Sequence, residues 1–234
     1  MNSKPVADGN MKPISTEFSY FAGIIILAAG TALMERADFG VSMVVAPAYL
    51  IHLKLCSIFP FFSFGMAEYA FQACIIIIMC LLLRRFRISY LFSFLTAVIY
   101  GHVLDLFISI LKNIMWEGMH VRLIYYVFGV ILCALGVSFL FHTYLPPEAY
   151  ELVVRECSEY FHININHLKT LYDCISCLFG ILLSFIFFGF WHFEGVKLGT
   201  VICALINGSL IGFCTCFLEK RFVFYDSLNL RNYF

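Results

Sequence analysis

Residues 59–83, FPFFSFGMAEYAFQACIIIIMCLLL, decide how this chain folds. A helix needs about 20 mostly apolar residues to cross the hydrocarbon core of a bilayer. This stretch supplies them, with Glu68 as its one ionisable side chain and Gln72 as a neutral polar partner. It stops at the basic cluster Arg84, Arg85 and Arg87, the kind of anchor that marks the cytoplasmic end of a span.

Working outward, five further runs have the same character: Phe18 to Met34, Ile88 to Leu111, Leu123 to Tyr144, Ile163 to Phe190 and Val196 to Leu218. The whole chain agrees, being 62% hydrophobic and 13% charged with a mean hydropathy of +0.90. That lies far outside the range of water-soluble domains. The expected fold class is an all-α polytopic membrane protein with six transmembrane helices. Net charge is zero and the basic residues form no single patch, so no nucleic-acid partner is expected. Eight of the ten cysteines lie inside apolar runs, where they act as small apolar side chains.

With the N-terminus inside, ten Lys and Arg, among them Arg155 and Lys169, fall on the cytoplasmic side and five on the other. The bias predicts that both termini are cytoplasmic. Two connections are too long for tight turns. FGVSMVVAPAYLIHLKL (39–55) follows the first span and PPEAYELVVRECSEYF (146–161) follows the fourth. Both read as short interfacial or re-entrant helices. In the second, Pro147 suits a first helical position, with Ala149, Leu152, Val153 and Tyr160 on one face.

The two halves therefore share a layout, and an internal comparison follows. A shift of 106 residues sets Gly23 on Gly129, Ala28 on Ala134 and Gly30 on Gly136. A shift of 101 sets Gln72 on Asp173, and one of 107 sets Gly101 on Gly208 and Asp105 on Gly212. Three spans per unit is an odd number, so the second copy must enter the membrane reversed. The expected organisation is a disordered tail (1–17), two inverted three-helix repeats (18–112 and 120–219) and a cytoplasmic tail (220–234). In inverted-repeat transporters the substrate site lies at the midplane between the repeats. Gly23, Gly30, Gly101, Gly129, Gly136, Gly208 and Gly212 are the expected close-packing positions.

GTALMERADFG (30–40) resembles the opening motif of the bacterial YczE/YyaS/YitT family of integral membrane proteins, and YGHVLDLF (100–107) is similar to that family's G-x-x-x-D-L-F. LYDC (171–174) and GTVICALINGSLIGF (199–213) look like its second-half motifs. Met43 and Leu198 stand where the family often has Pro and Glu. The resemblance implies a six-helix protein of the bacterial cytoplasmic membrane and says little about mechanism.

An ionisable group at a helix centre costs about 2.5–3.5 kcal/mol on the insertion scale, so each one needs a partner, water or a task. Glu68 and Gln72 share a helix face, and Asp173 is the repeat partner of Gln72. These three are the candidate substrate-binding residues, with interhelical hydrogen bonding as the alternative. His102 and Asp105, three apart, are candidates for a proton relay or for a helix cap. Glu35, Arg36 and Asp38 read as a solvated interfacial face, with a gate salt bridge as the alternative. Cys174 and Cys177 have redox spacing but sit mid-helix and read as packing.

Hydrolase, metalloprotease, phosphate-loop and dinucleotide motifs are absent from the sequence, so no enzyme activity, cofactor or metal is expected. The leading functional expectation is a small-molecule transporter working by alternating access of its two halves. Its partners are the lipid bilayer, an unknown substrate and, as an open option, a second copy of the chain. The competing expectation is a non-transport membrane component that supports another complex.

Overall fold

The computed structural model describes residues 12–112, 118–189 and 195–228. Six helices are long and apolar enough to cross a membrane: α1 (Thr16–Ala37), α3 (Phe64–Leu83), α4 (Ile88–Leu111), α5 (Met119–Phe141), α7 (Ile165–Phe188) and α8 (Leu198–Arg221). Two shorter helices lie between them, α2 (Ala46–Cys56) and α6 (Ala149–Phe161). The protein is an integral membrane protein. Ile77, Ile78, Leu81 and Leu82 of α3 and Leu91 and Leu95 of α4 are exposed, which suits a surface solvated by lipid rather than water.

The helix ends follow local chemistry. Pro60 lies in the turn that precedes α3, and the Ser63 hydroxyl accepts from the Met66 N–H, so the helix begins at Phe64 rather than at the start of the apolar run. Arg84 ends it with φ +49°. In α6, Glu148 is the N-cap and Pro147 stands outside the helix. The proline's carbonyl accepts from Ser93 at 2.6 Å and that of Pro146 from Thr96 at 3.0 Å. These two α4 hydroxyls fix where α6 enters the fold.

α1 and α5 form the centre and run antiparallel. A Cβ built on Gly23 would lie 3.0 Å from the Gly136 carbonyl, and one on Gly136 2.9 Å from that of Gly23. Seven residues along, Gly30 and Gly129 repeat the relation at 2.8 and 2.9 Å. Such approaches exclude any side chain and bring backbones into dispersion contact where no water drives association. Around this pair the contacts come in matching sets. α1 packs on α4 and α5 on α8; α3 packs on α4 and α7 on α8; α2 touches α3 and α7, while α6 touches α7 and α3.

Part of each expected tail is ordered, which revises the disorder expected through residue 17. Residues 12–15 form strand β1, paired in parallel with β2 (Phe222–Tyr225). The Thr16 hydroxyl donates to Asp226, and the Glu17 carboxylate accepts from the Ser227 and Leu228 N–H groups. Because β1 leads into α1 and β2 leaves α8, the two ends share one face of the membrane. The rest of the expected tails lies outside the described residues. Of the two readings of α6, the structure selects the one in which it enters the bundle: Tyr150, Leu152, Val154 and Cys157 are buried with Ala149. The face is revised, since Tyr160 is exposed.

Candidate functional site

Glu68 and Gln72 point inward from α3 and are fully buried. The Gln72 amide donates to Glu68 Oε2 at 3.3 Å and to Glu148 Oε2 at 3.0 Å, and its carbonyl accepts the Ala149 N–H at 3.0 Å. It therefore caps α6 as well as bridging two carboxylates, using each donor and acceptor its amide has. Tyr150 donates to Glu68 Oε2 at 2.8 Å.

Asp173 lies on the other side of α6. Its neighbour one turn back, Lys169, stands 3.2 Å from Asp173 Oδ1 and 3.3 Å from Glu151 Oε1. All three are buried, so Lys169 is an interior counter-charge. It is not one of the cytoplasmic surface charges counted from the sequence. Asn207 of α8 flanks Asp173.

The three candidate substrate-binding residues, Glu68, Gln72 and Asp173, thus fall into one cluster, but as edges of it. Glu148, Glu151, Tyr150 and Lys169 complete it. The signal for Lys169 was its spacing to Asp173, i and i+4 within an apolar helix. Glu148 and Glu151 gave none, because only the fold of α6 takes them out of a polar loop.

Two cavities meet at this cluster. A small one of about 20 Å³, room for a single water-sized guest, is walled by Thr31, Ser42, Tyr100, Glu148, Glu151 and Lys169. A larger vestibule of about 880 Å³ is lined by Arg87, Glu151, Arg155, Lys169, Gly212 and Glu219 among others. That volume falls in the range of ligand pockets. Glu151 and Lys169 belong to both, so they are the floor of the vestibule and a wall of the inner cavity. The vestibule opens on the face that carries both chain ends, since Glu219 sits two residues before the end of α8.

Burial holds the Glu148 carboxyl well above the ordinary carboxylate range, and the nearby Glu151 and Glu68 carboxylates push the same way. Oxygens Glu68 Oε1, Glu148 Oε1 and Glu151 Oε2 have no hydrogen-bond partner among the described residues. Among those residues no three His, Cys, Asp or Glu side chains are grouped as metal ligands.

The opposite face is closed. Asp105 accepts from the Gly65 N–H at 2.8 Å and from the Ser63 hydroxyl at 2.6 Å, so it caps α3. His102 takes other partners: its ring Nδ1 lies 2.8 Å from the Val98 carbonyl and it stacks on Tyr69, exposed. No His102–Asp105 contact forms, and the relay pair is not assembled. A Cβ on Gly65 would run into the Gly101 carbonyl, and one on Gly101 would lie 2.8 Å from that of Gly65. Asp38 is exposed, as a solvated interfacial residue should be, and it also bridges Arg122 at 3.0 Å and Lys197, tying α1 to α5 and α8.

Gly208 and Gly212 depart from the close packing expected of them. A Cβ at Gly208 would meet only Thr170 Oγ1 at 3.6 Å, and one at Gly212 nothing. Both line the vestibule instead. The α7–α8 seam is open where the α3–α4 seam is shut.

Residues 14–216 match a family described as "Family of unknown function (DUF6198)". The chain belongs to this family. The matched segment of DUF6198 takes in every residue of the buried cluster and all but the last turn of α8. No curated protein and no solved structure matches the chain.

Proposed function

We propose that this protein is a small-molecule transporter of a bacterial cytoplasmic membrane, with both termini cytoplasmic, working by alternating access of two inverted three-helix repeats. The observation that carries the reading is the shared floor. One vestibule reaches Glu151 and Lys169, which also wall a second, much smaller cavity deeper in the bundle. A membrane scaffold has no need of a ligand-sized polar cleft ending on buried, paired charges.

The inverted repeat is supported by the antiparallel α1–α5 pair. The contact of Gly23 with Gly136 becomes that of Gly129 with Gly30 when the halves are exchanged by the register of the sequence. The matching sets of helix contacts exchange in the same way. Asp105 in the first half seals α3 to α4, while its register partner Gly212 leaves α8 open to the vestibule. This pairing of one shut seam with one open seam is what an inward-open member of an alternating-access pair requires. The motif resemblance to the YczE/YyaS/YitT family supports the bacterial setting. The substrate-binding residues in this reading are Gln72, Glu68 and Asp173, joined by Glu151 and Lys169.

The test is an untargeted small-molecule profile of a strain lacking the gene, complemented with wild type, Glu151→Gln or Asp173→Asn at equal membrane abundance. Transport predicts a compound whose level shifts on deletion and is restored by wild type alone. If both variants restore it as well as wild type does, the chain is a non-transport membrane component and the reading falls.

A further inference from the structure

Counting charge around the inner cavity shows an imbalance. Four carboxylates, Glu68, Glu148, Glu151 and Asp173, are buried to 3% exposure or less, and Lys169 at 5% is the one ammonium among them. A buried carboxylate left ionised without a partner costs several kcal/mol. The N-terminus of α6 contributes about half a positive charge, and its Ala149 N–H is already taken by Gln72. Lys169 pairs with Glu151 and Asp173, so Glu68 and Glu148 have only neutral donors.

The imbalance has a direction in space. Glu148 Oε1 and Glu151 Oε2 are unpartnered on residues that wall the cavity. Two buried carboxylate oxygens without a donor favour a positive charge beside them. Three carboxylates do not converge as metal ligands, which disfavours a divalent ion needing six or more close oxygens. The other walls offer hydroxyls of Thr31, Ser42 and Tyr100, neutral oxygens suited to a singly charged guest.

We propose that Glu148 and Glu151 together hold one singly charged cation at this cavity, either bound to a carboxyl oxygen as a proton or seated between the two side chains as an alkali ion, and that this cation couples to the transport cycle. The coupling rests on the transport reading; the binding does not. Its two sources are a proton and an alkali cation. The groups facing the site are Glu68 on α3, Tyr100 on α4, Cys133 on α5, Tyr150 on α6, and Lys169 and Asp173 on α7. α1 brings the uncharged Thr31 and the phenol of Tyr20, close enough to Glu148 to interact with its charge, and α8 brings Asn207. Because Glu151 is also in the vestibule floor, a guest arriving through the vestibule reaches the cavity by displacing the Lys169 contact.

The experiment measures thermal unfolding of the purified full-length protein in detergent. Lithium, sodium or potassium chloride replaces choline chloride at constant ionic strength, and the series is repeated from about pH 5 to about pH 9. An alkali guest gives a saturable rise in melting temperature with one of these cations over choline, lost in Glu148→Gln and in Glu151→Gln. A proton guest gives no alkali response, but a melting temperature that rises as pH falls, with the slope lost in Glu148→Gln. A wild type indifferent to both, or a response unchanged in both variants, overturns the site.

If the variants do not fold, wild type alone decides. An alkali guest releases protons from lightly buffered protein, since both compete for the same oxygens. A proton guest leaves a carboxylic-acid infrared band that disappears as pH rises. Neither signal means no site. Cation binding without any solute change in the deletion strain would keep the site and sink the transport reading, and the reverse result would do the opposite.

Discussion

Gly30 and Gly129 meet backbone to backbone across the α1–α5 contact, each lying where a Cβ on the other would stand within 2.9 Å of its carbonyl oxygen. Room for a side chain at either position comes only from moving the two helices apart, at the cost of their packing. Gly30→Ala should therefore cost about 1–3 kcal/mol, and Gly30→Leu should abolish the monodisperse folded peak in fluorescence-detected size exclusion. Gly212→Ala, with open space around it, should hold or raise the melting temperature, since alanine gains up to about 1 kcal/mol of helix propensity over glycine.

Lys169 stabilises two buried carboxylates at once. Lys169→Met should destabilise by about 3–5 kcal/mol, the cost of leaving a buried charge unpaired. Adding Asp173→Asn in the same chain should recover part of that loss. Equal melting temperatures for the single and double variants would show that the ion pair is not the source.

Asp105 caps α3 through two acceptor oxygens. Asp105→Ala should lower stability by about 1–2 kcal/mol, and His102→Ala, which removes an exposed ring from the lipid-facing side, should change it far less. Thermal unfolding of the two variants side by side checks this.

His52 on α2 stacks on Phe64 and bonds the Phe62 carbonyl at 2.9 Å. Burial lowers its pKa below the ordinary histidine value. A group whose folded pKa is depressed adds stability above its unfolded value, about 6.5, that is lost as pH falls through the folded one. The stability that neutral His52 contributes should thus be lost on acidification below about pH 6.5. Over that interval the wild-type melting temperature should lose ground to that of His52→Phe, which keeps a stacking ring, whatever slope the two share.

How far the molecule could be read from its residues depended on where the physics was local. The bounds of α4, Ile88–Leu111, coincide with the apolar run because hydropathy alone ends it. α3 begins five residues into its run, since Ser63 rather than hydrophobicity chooses the start. Glu68 and Gln72 were legible because a polar side chain in an apolar helix demands a partner. Glu148 and Glu151 were not, since a loop may carry carboxylates freely, and their burial is a tertiary event set by Ser93 and Thr96 gripping the two prolines. His102 misled for the converse reason: an oily run does not tell which face is turned to lipid.

The pairing of β1 with β2 has a consequence for biogenesis. Lys12 can find Phe222 only after α8, the last of the six spans in chain order, has been synthesised. The N-terminal strand therefore waits with its edge open while the spans are made. A chain truncated before Phe222 would hold every helix yet keep that edge unpaired, and quality control could distinguish it from a finished protein at the surface of the membrane.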